Sequence, residues 1–272
     1  MTRICIFGAG AIGGYLAAAL DNAGAVVSLV ARGPHLEAIL KNGLTFEKDG
    51  VTSSHHLPAS RDPADLGPQD VVFLAVKAHG IPAIIDSLKL LLHDDTIIVP
   101  AVNGLPWWYF HGAGTGTALD EKPLLAVDPD RRIWDEIGPQ RAIGCVVYPA
   151  CEIAAPGHVR HLDGDRFSLG EPSGERTDRI RDLSALMIAG DLKAPVRPRI
   201  RDEIWIKLWG NCSFNPVSAL TGATLDEIGN DPSSHQLVKD IMTEVQAIGE
   251  AAGARFGVSI DKRIAGATAI VG

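Results

Sequence analysis

The chain is poor in cysteine, and its four residues, Cys5, Cys145, Cys151 and Cys212, show neither a CxxC pair nor a metal-ligand rhythm. That spacing fits a reducing compartment better than a disulfide framework. It also lacks any uninterrupted apolar run near the roughly 18 residues of a membrane-spanning helix, and Met-Thr-Arg opens it without a leader-like apolar stretch. A cytoplasmic protein, neither secreted nor inserted in a membrane, is expected. Positive charge is in deficit, 25 Lys plus Arg against 33 Asp plus Glu, for a formal charge of −8. Nucleic-acid binding needs a basic footprint, so no nucleic acid is expected, and an anionic ligand needs a local basic site. The nine histidines form no HExxH or paired metal spacing, His55-His56 reads as surface, and no metal is predicted. Ser213 and Ser218 have no evident His–Asp partners, so nothing supports nucleophilic catalysis.

What is present is ordinary globular material, 46% hydrophobic and 21% charged over 272 residues, enough for a sizeable core and most simply divided into two domains. Arg3 to Phe7 reads as a strand, Ala11 to Leu20 as a helix and Val26 to Val30 as a second strand, with His35 to Lys41 returning to helical spacing. Asp70 to Val76 and Thr96 to Val99 are almost continuously apolar, as buried parallel strands are, and Ile81 to Leu92 reads as the helix that connects them. Leu44 to Leu57 and Ala142 to Leu169 look like antiparallel additions to the same sheet. From Gly174 the character changes: Thr177 to Ile188 is helical, and Ile200 to Val217 and Gln236 to Ala252 read as long helices beyond a boundary near Pro198.

Between the first strand and first helix lies Gly8-Ala9-Gly10-Ala11-Ile12-Gly13, a G-x-G-x-x-G in the setting that gives this pattern weight. Gly8 permits the tight turn, Gly10 lets the main chain approach a pyrophosphate, and Gly13 permits close helix–strand packing. The N–H groups of the first helical turn, Ala11 and Ile12 among them, then face an anion. The predicted class is therefore α/β, with an N-terminal Rossmann-type domain over residues 1–198 and a C-terminal all-helical domain over 199–272. The alternative is a glycine-rich turn without a ligand. At the end of the second strand, where a carboxylate would grip the ribose hydroxyl of NAD, stands Arg32. A guanidinium there suits a 2′-phosphate, which favours NADPH over NADH, unless Arg32 is simply a solvated surface residue. Lys77, past another strand end, stands equally well as a cofactor contact or a solvated side chain.

Lys207, Asn211 and Asn215 recur every four positions among Trp, Leu, Cys and Phe, and so share one face of a helix. Flanked by apolar residues, they read as a polar row aimed into a cleft. A lysine there protonates a carbonyl oxygen as hydride reaches the carbon, with partial desolvation lowering its pKa, while the amides hold substrate oxygens. The plainer alternative has the amides bridging helices and the lysine snorkelling. Trp205 and Trp209, one turn apart, read as core or interface.

Together, Gly8-Ala9-Gly10-Ala11-Ile12-Gly13-Gly14, Val76-Lys77-Ala78, Asn103-Gly104 and Lys207-Leu208-(x)2-Asn211-(x)3-Asn215-Pro216 resemble the ketopantoate reductase family over nearly the whole chain. The resemblance implies a Rossmann domain followed by a helical domain, an active site in the cleft between them, and NADPH-dependent reduction of 2-dehydropantoate, or a related small 2-keto acid, to the 2-hydroxy acid, a step of pantothenate biosynthesis. It implies Lys207 as the general acid, Asn211 and Asn215 on the substrate side, and Asn103 near the nicotinamide. Two departures qualify the substrate. The stretch from Pro106-Trp107-Trp108 to Pro139 is long and aromatic, consistent with a pocket reshaped for another 2-keto acid. Members of the family continue past the position of Gly272 into a segment whose serine and acidic residue contact substrate, so either a tail is omitted here or the pocket lacks that part. Glu244, Glu250 and Asp261 do not take that role. An NADPH-binding sensor without turnover, or another β-hydroxyacid-dehydrogenase-like oxidoreductase, are the rival readings. A homodimer stays open as the assembly.

Overall fold

The apolar run at the N-terminus becomes a strand buried over four of its five residues, and the sheet is built outward from it. In this computed structural model, which describes residues 1–269, the strands are β1 (Arg3–Phe7), β2 (Val26–Val30), β3 (Leu44–Lys48), β4 (Val51–His55), β5 (Ala59–Ser60), β6 (Val71–Leu74), β7 (Ile97–Pro100), β8 (Gly144–Val147), β9 (Ala150–Ala155), β10 (His158–Asp163) and β11 (Phe167–Gly170). The helices are α1 (Ala11–Asn22), α2 (Gly33–Asn42), α3 (Ile85–Lys89), α4 (Asp178–Ala189), α5 (Ile200–Cys212), α6 (Phe214–Thr221), α7 (Leu225–Asn230), α8 (Pro232–Ala251) and α9 (Ile260–Thr268). The chain separates into two units: Met1–Gly114 with Ala118–Ile200, and Thr115–Thr117 with the chain from Arg201 onward.

In the first unit, β5-β2-β1-β6-β7 pair in parallel in that order. The chain moves to one side of β1 to make β2 and to the other side to make β6. This reversal opens a crevice at the carboxyl ends of β1 and β6, where open α/β sheets take their ligands.

The expected antiparallel additions to this sheet form sheets of their own. β4-β3-β10-β9 make a second sheet, antiparallel within each hairpin and parallel where β3 meets β10, while β8 and β11 pair separately. The physical reason lies in α1, whose residues Gly13 to Leu20 are all buried. A helix apolar all round needs cover on both sides. The parallel sheet covers one side. On the other, a Cβ added to Gly14 would stand 2.7 Å from Val159 Cγ2 of β10, which shows how closely the second sheet packs on it.

The predicted connecting helix over Ile81 to Leu92 is likewise reduced to α3, preceded by 3₁₀ turns at Ala78–Gly80 and Pro82–Ile84. Pro82 has no N–H to give and Ile81 before it keeps helical angles; the break falls at Ile84, whose φ −107 and ψ 2 leave the helical region just before α3. Trp107, Trp108, Tyr109 and Phe110, from the aromatic insertion, are all buried, and Trp108 packs where Gly144 has no side chain.

The second unit is helical. Its core gathers Trp209, Phe214, Val217, Ile228, Val238, Met242, Ile264 and Ala267 from α5 to α9. The helix expected over Ile200 to Val217 breaks at Ser213, dividing α5 from α6. Pro216 donates no hydrogen bond to the Cys212 carbonyl four residues earlier, and its ring crowds that carbonyl. Ser213 closes the gap locally, its hydroxyl donating to the Trp209 carbonyl at 2.6 Å. No helix among the described residues is long and apolar enough to cross a membrane.

Candidate active site

The glycine turn sits at the reversal point of the parallel sheet. Gly8 has φ +105, a left-handed conformation open to glycine, and a side chain there would meet Val76 Cγ1 at 2.8 Å. The Gly8 and Ala9 N–H groups both donate to the Val30 carbonyl, at 3.0 and 3.2 Å, latching the turn to the end of β2. Gly13 is where α1 crosses the turn most closely. Gly10 differs from both, since a Cβ there would have no atom within 4 Å. The first helical bond runs from Gly14 N–H to the Gly10 carbonyl at 2.7 Å. The N–H groups of Ala11, Ile12 and Gly13 precede it and have no helical acceptor, so they point outward with the positive end of the helix dipole. An open cradle over Gly10 edged by these donors fits a dinucleotide pyrophosphate.

The other first-unit candidates occupy the same edge of the sheet. Arg32 follows β2, caps the start of α2 in extended conformation and is exposed. Lys77, exposed, follows β6 and opens the turn Ala78–Gly80. Asn103, also exposed, follows β7, whose exit is pinned by Ala101 N–H donating to the Leu74 carbonyl at 2.9 Å. Gly8, Arg32, Lys77 and Asn103 thus stand at the carboxyl ends of four neighbouring strands, with the anion donors of α1 among them.

In the second unit, α5 is locked in rotation by Trp209. Its indole N–H donates to the Met242 carbonyl at 2.9 Å, and its ring stacks on Phe256 with centroids 4.5 Å apart. At roughly 100° per residue, Lys207 points nearly opposite Trp209 and Asn211 lies close to Lys207. Burying the tryptophan therefore turns the lysine away from the helical core. Lys207 and Asn211 are half-buried and Asn215 is exposed. The row survives the helix break: Asn215, on α6, donates from Nδ2 to Asn211 Oδ1 at 3.4 Å.

Other polar clusters lie elsewhere. His55 is buried rather than surface, its Nδ1 2.6 Å from Asp21 Oδ2 and its Nε2 2.9 Å from Ser53 Oγ, tying β4 to α1. The i, i+2 spacing of Ser53 and His55 on one strand face was the overlooked signal. Among the described residues no group of three His, Cys, Asp or Glu side chains gathers as a metal site. Burial pushes the Cys5 and Cys151 thiols up to about 12, so neither offers a thiolate at neutral pH. Sequence reading also passed over Arg263 on α9, which lies against Gly210 of α5, beside the lysine row.

A dinucleotide-binding α/β unit joined to a helical unit that displays a lysine and two asparagines defines a class, the two-domain nicotinamide-dependent oxidoreductases. Two family models match, ketopantoate reductase PanE/ApbA over residues 4–174 and its C-terminal counterpart over 199–271. The chain belongs to the ketopantoate reductase family. It is 54% identical over 266 residues to a 2-dehydropantoate 2-reductase of Mesorhizobium japonicum, covering 97% of this chain and 81% of that protein. Among solved structures it is similar to a protein of Ralstonia solanacearum MolK2 provisionally described as a ketopantoate reductase, with TM-score 0.94 and 41% identity, covering 100% of this chain and 84% of that one. It is similar also to the 2-dehydropantoate 2-reductase of Geobacter metallireducens GS-15, with TM-score 0.83 and 27% identity, covering 98% and 83% respectively.

Proposed function

We propose that this protein reduces the ketone of 2-dehydropantoate to the secondary alcohol of pantoate, with NADPH as the cofactor. The observation that carries this reading is the Lys207–Asn211–Asn215 row, held away from the helical core by Trp209, in a chain of this family. Residues 1–198 hold the dinucleotide and residues 199–272 supply the acid. Gly10 and the N–H groups of Ala11, Ile12 and Gly13 would hold the pyrophosphate, and Arg32 would hold the 2′-phosphate, where a carboxylate would repel it. Lys77 and Asn103 line the same sheet edge and complete the cofactor site. When bound, the reduced nicotinamide supplies a hydride to the carbonyl carbon.

Lys207 donates its proton to the carbonyl oxygen, so that the C=O π bond becomes a C–H and an O–H bond. Asn211 and Asn215, joined by their own hydrogen bond, present amide donors and acceptors to the substrate's oxygens. The test is loss of the near-ultraviolet absorbance of NADPH on addition of 2-dehydropantoate, beside a panel of other 2-keto acids. Turnover with 2-dehydropantoate leading the panel is expected. Silence across the panel, with NADPH bound, overturns the reading in favour of a sensor without turnover. Preference for another keto acid moves only the substrate.

A further inference from the structure

A 2-keto acid carries a carboxylate on the carbon next to the ketone, and in a chain of formal charge −8 a local cation favours its binding. Within the helical unit, one arginine is placed for this. Arg263 lies in the first half of α9, and a Cβ built on Gly210 would stand 3.2 Å from its Nη2. The guanidinium therefore reaches α5 at the residue directly before Asn211 and three after Lys207. On the helix, Gly210 lies roughly 60° to one side of Lys207, so Arg263 flanks the row on that side.

Arg263 Nε is buried with no hydrogen-bond partner among the described residues. Asp261, the carboxylate nearest in sequence, is occupied by Lys239 Nζ at 2.7 Å. A buried guanidinium N–H without an acceptor is costly unless something else supplies one. A carboxylate does so in the geometry a guanidinium fork favours.

We propose that Arg263 binds the carboxylate of the 2-keto acid, setting the adjacent ketone oxygen toward Lys207. Gly210 leaves room beside the guanidinium, which an added Cβ would press by a few tenths of an ångström. The inference rests on the reading under Proposed function and adds the group that fixes the substrate's acid end.

The experiment compares wild type, Arg263→Ala, Arg263→Lys and Gly210→Ala in steady-state kinetics, with NADPH affinity measured separately. Losing a charge-assisted contact predicts a KM for 2-dehydropantoate raised roughly 10- to 100-fold in Arg263→Ala, with NADPH affinity unchanged. Added guanidinium ion should restore part of the loss. Gly210→Ala, which keeps every charge, should raise KM in the same direction at unchanged melting temperature, and it covers the case in which Arg263→Ala fails to fold. Unchanged KM in folded Arg263→Ala, or in Gly210→Ala where the first variant does not fold, overturns the assignment while leaving the reductase reading intact. Should wild type turn over no 2-keto acid, that reading falls, and calorimetry with pantoate decides the arginine's role. Binding by wild type that is lost in Arg263→Ala supports it; equal binding, or none to either, overturns it.

Discussion

A Cβ placed on Gly13 would stand 2.0 Å from the carbonyl oxygen of Gly8, so the first helix crosses its own entry turn at backbone contact. At Gly10, three residues earlier, the same added atom would meet nothing within 4 Å. The glycines of one motif thus stand in two surroundings, backbone packing at Gly13 and open space at Gly10.

Gly13→Ala is accordingly expected to lower the melting temperature strongly, because the turn has no flexible side chain to move aside. Gly10→Ala should keep the melting temperature of the free protein and lose NADPH affinity by about tenfold or more, the methyl group occupying the pyrophosphate's place. Thermal melts and calorimetric titration separate the two, and a Gly10→Ala protein with full affinity would remove the pyrophosphate from this cradle.

Lys207→Ala is expected to reduce turnover by roughly 10²- to 10⁴-fold, the range typical of a lost general acid, with NADPH affinity nearly intact. Wild-type turnover in this variant would take Lys207 out of the mechanism.

Replacing Arg32 by Asp should weaken NADPH far more than NADH, since the new carboxylate repels a 2′-phosphate and accepts from a 2′-hydroxyl. The ratio of the two kcat/KM values is the measurement, and an unaltered ratio contradicts the assignment.

His35, at the start of α2, accepts the Gly157 N–H on Nδ1 at 2.9 Å. Burial holds its pKa below the ordinary histidine value. The fold therefore favours the neutral ring, and the unfolded chain takes up the proton at higher pH. Stability from this residue is complete above the ordinary histidine range and is lost as pH falls through that range toward the folded value. His35→Gln should cost about 1 kcal/mol at neutral pH through the lost hydrogen bond and show a shallower fall of melting temperature on acidification. Equal slopes would clear His35 of this role.

Trp209→Ala should destabilise the helical unit by about 3–5 kcal/mol, as deletion of a buried aromatic does. Denaturant unfolding followed by circular dichroism measures it. A loss below about 1 kcal/mol would mean that the ring is not what anchors α5.

The glycine turn, its flanking strand and helix, and the place of Arg32 at the end of β2 were legible in the sequence because each is a local pattern. A tight turn needs glycine within a few residues, and a strand buried on both faces must be continuously apolar. The lysine–asparagine row was legible for the same reason, a spacing of four along a helix. Its break at Ser213 was written in Pro216, which the regular polar spacing concealed.

What the sequence by itself determined was therefore the glycine turn, the α/β class of the first unit and the residue types of the polar row. Only the tertiary structure decided that the intervening strands form a separate sheet over α1, that Trp209 sets the direction of Lys207, and that Arg263 comes to rest against Gly210. These relations join residues tens of positions apart, and no periodicity records them. They follow from burying surfaces whose partners are chosen by the folded chain as a whole.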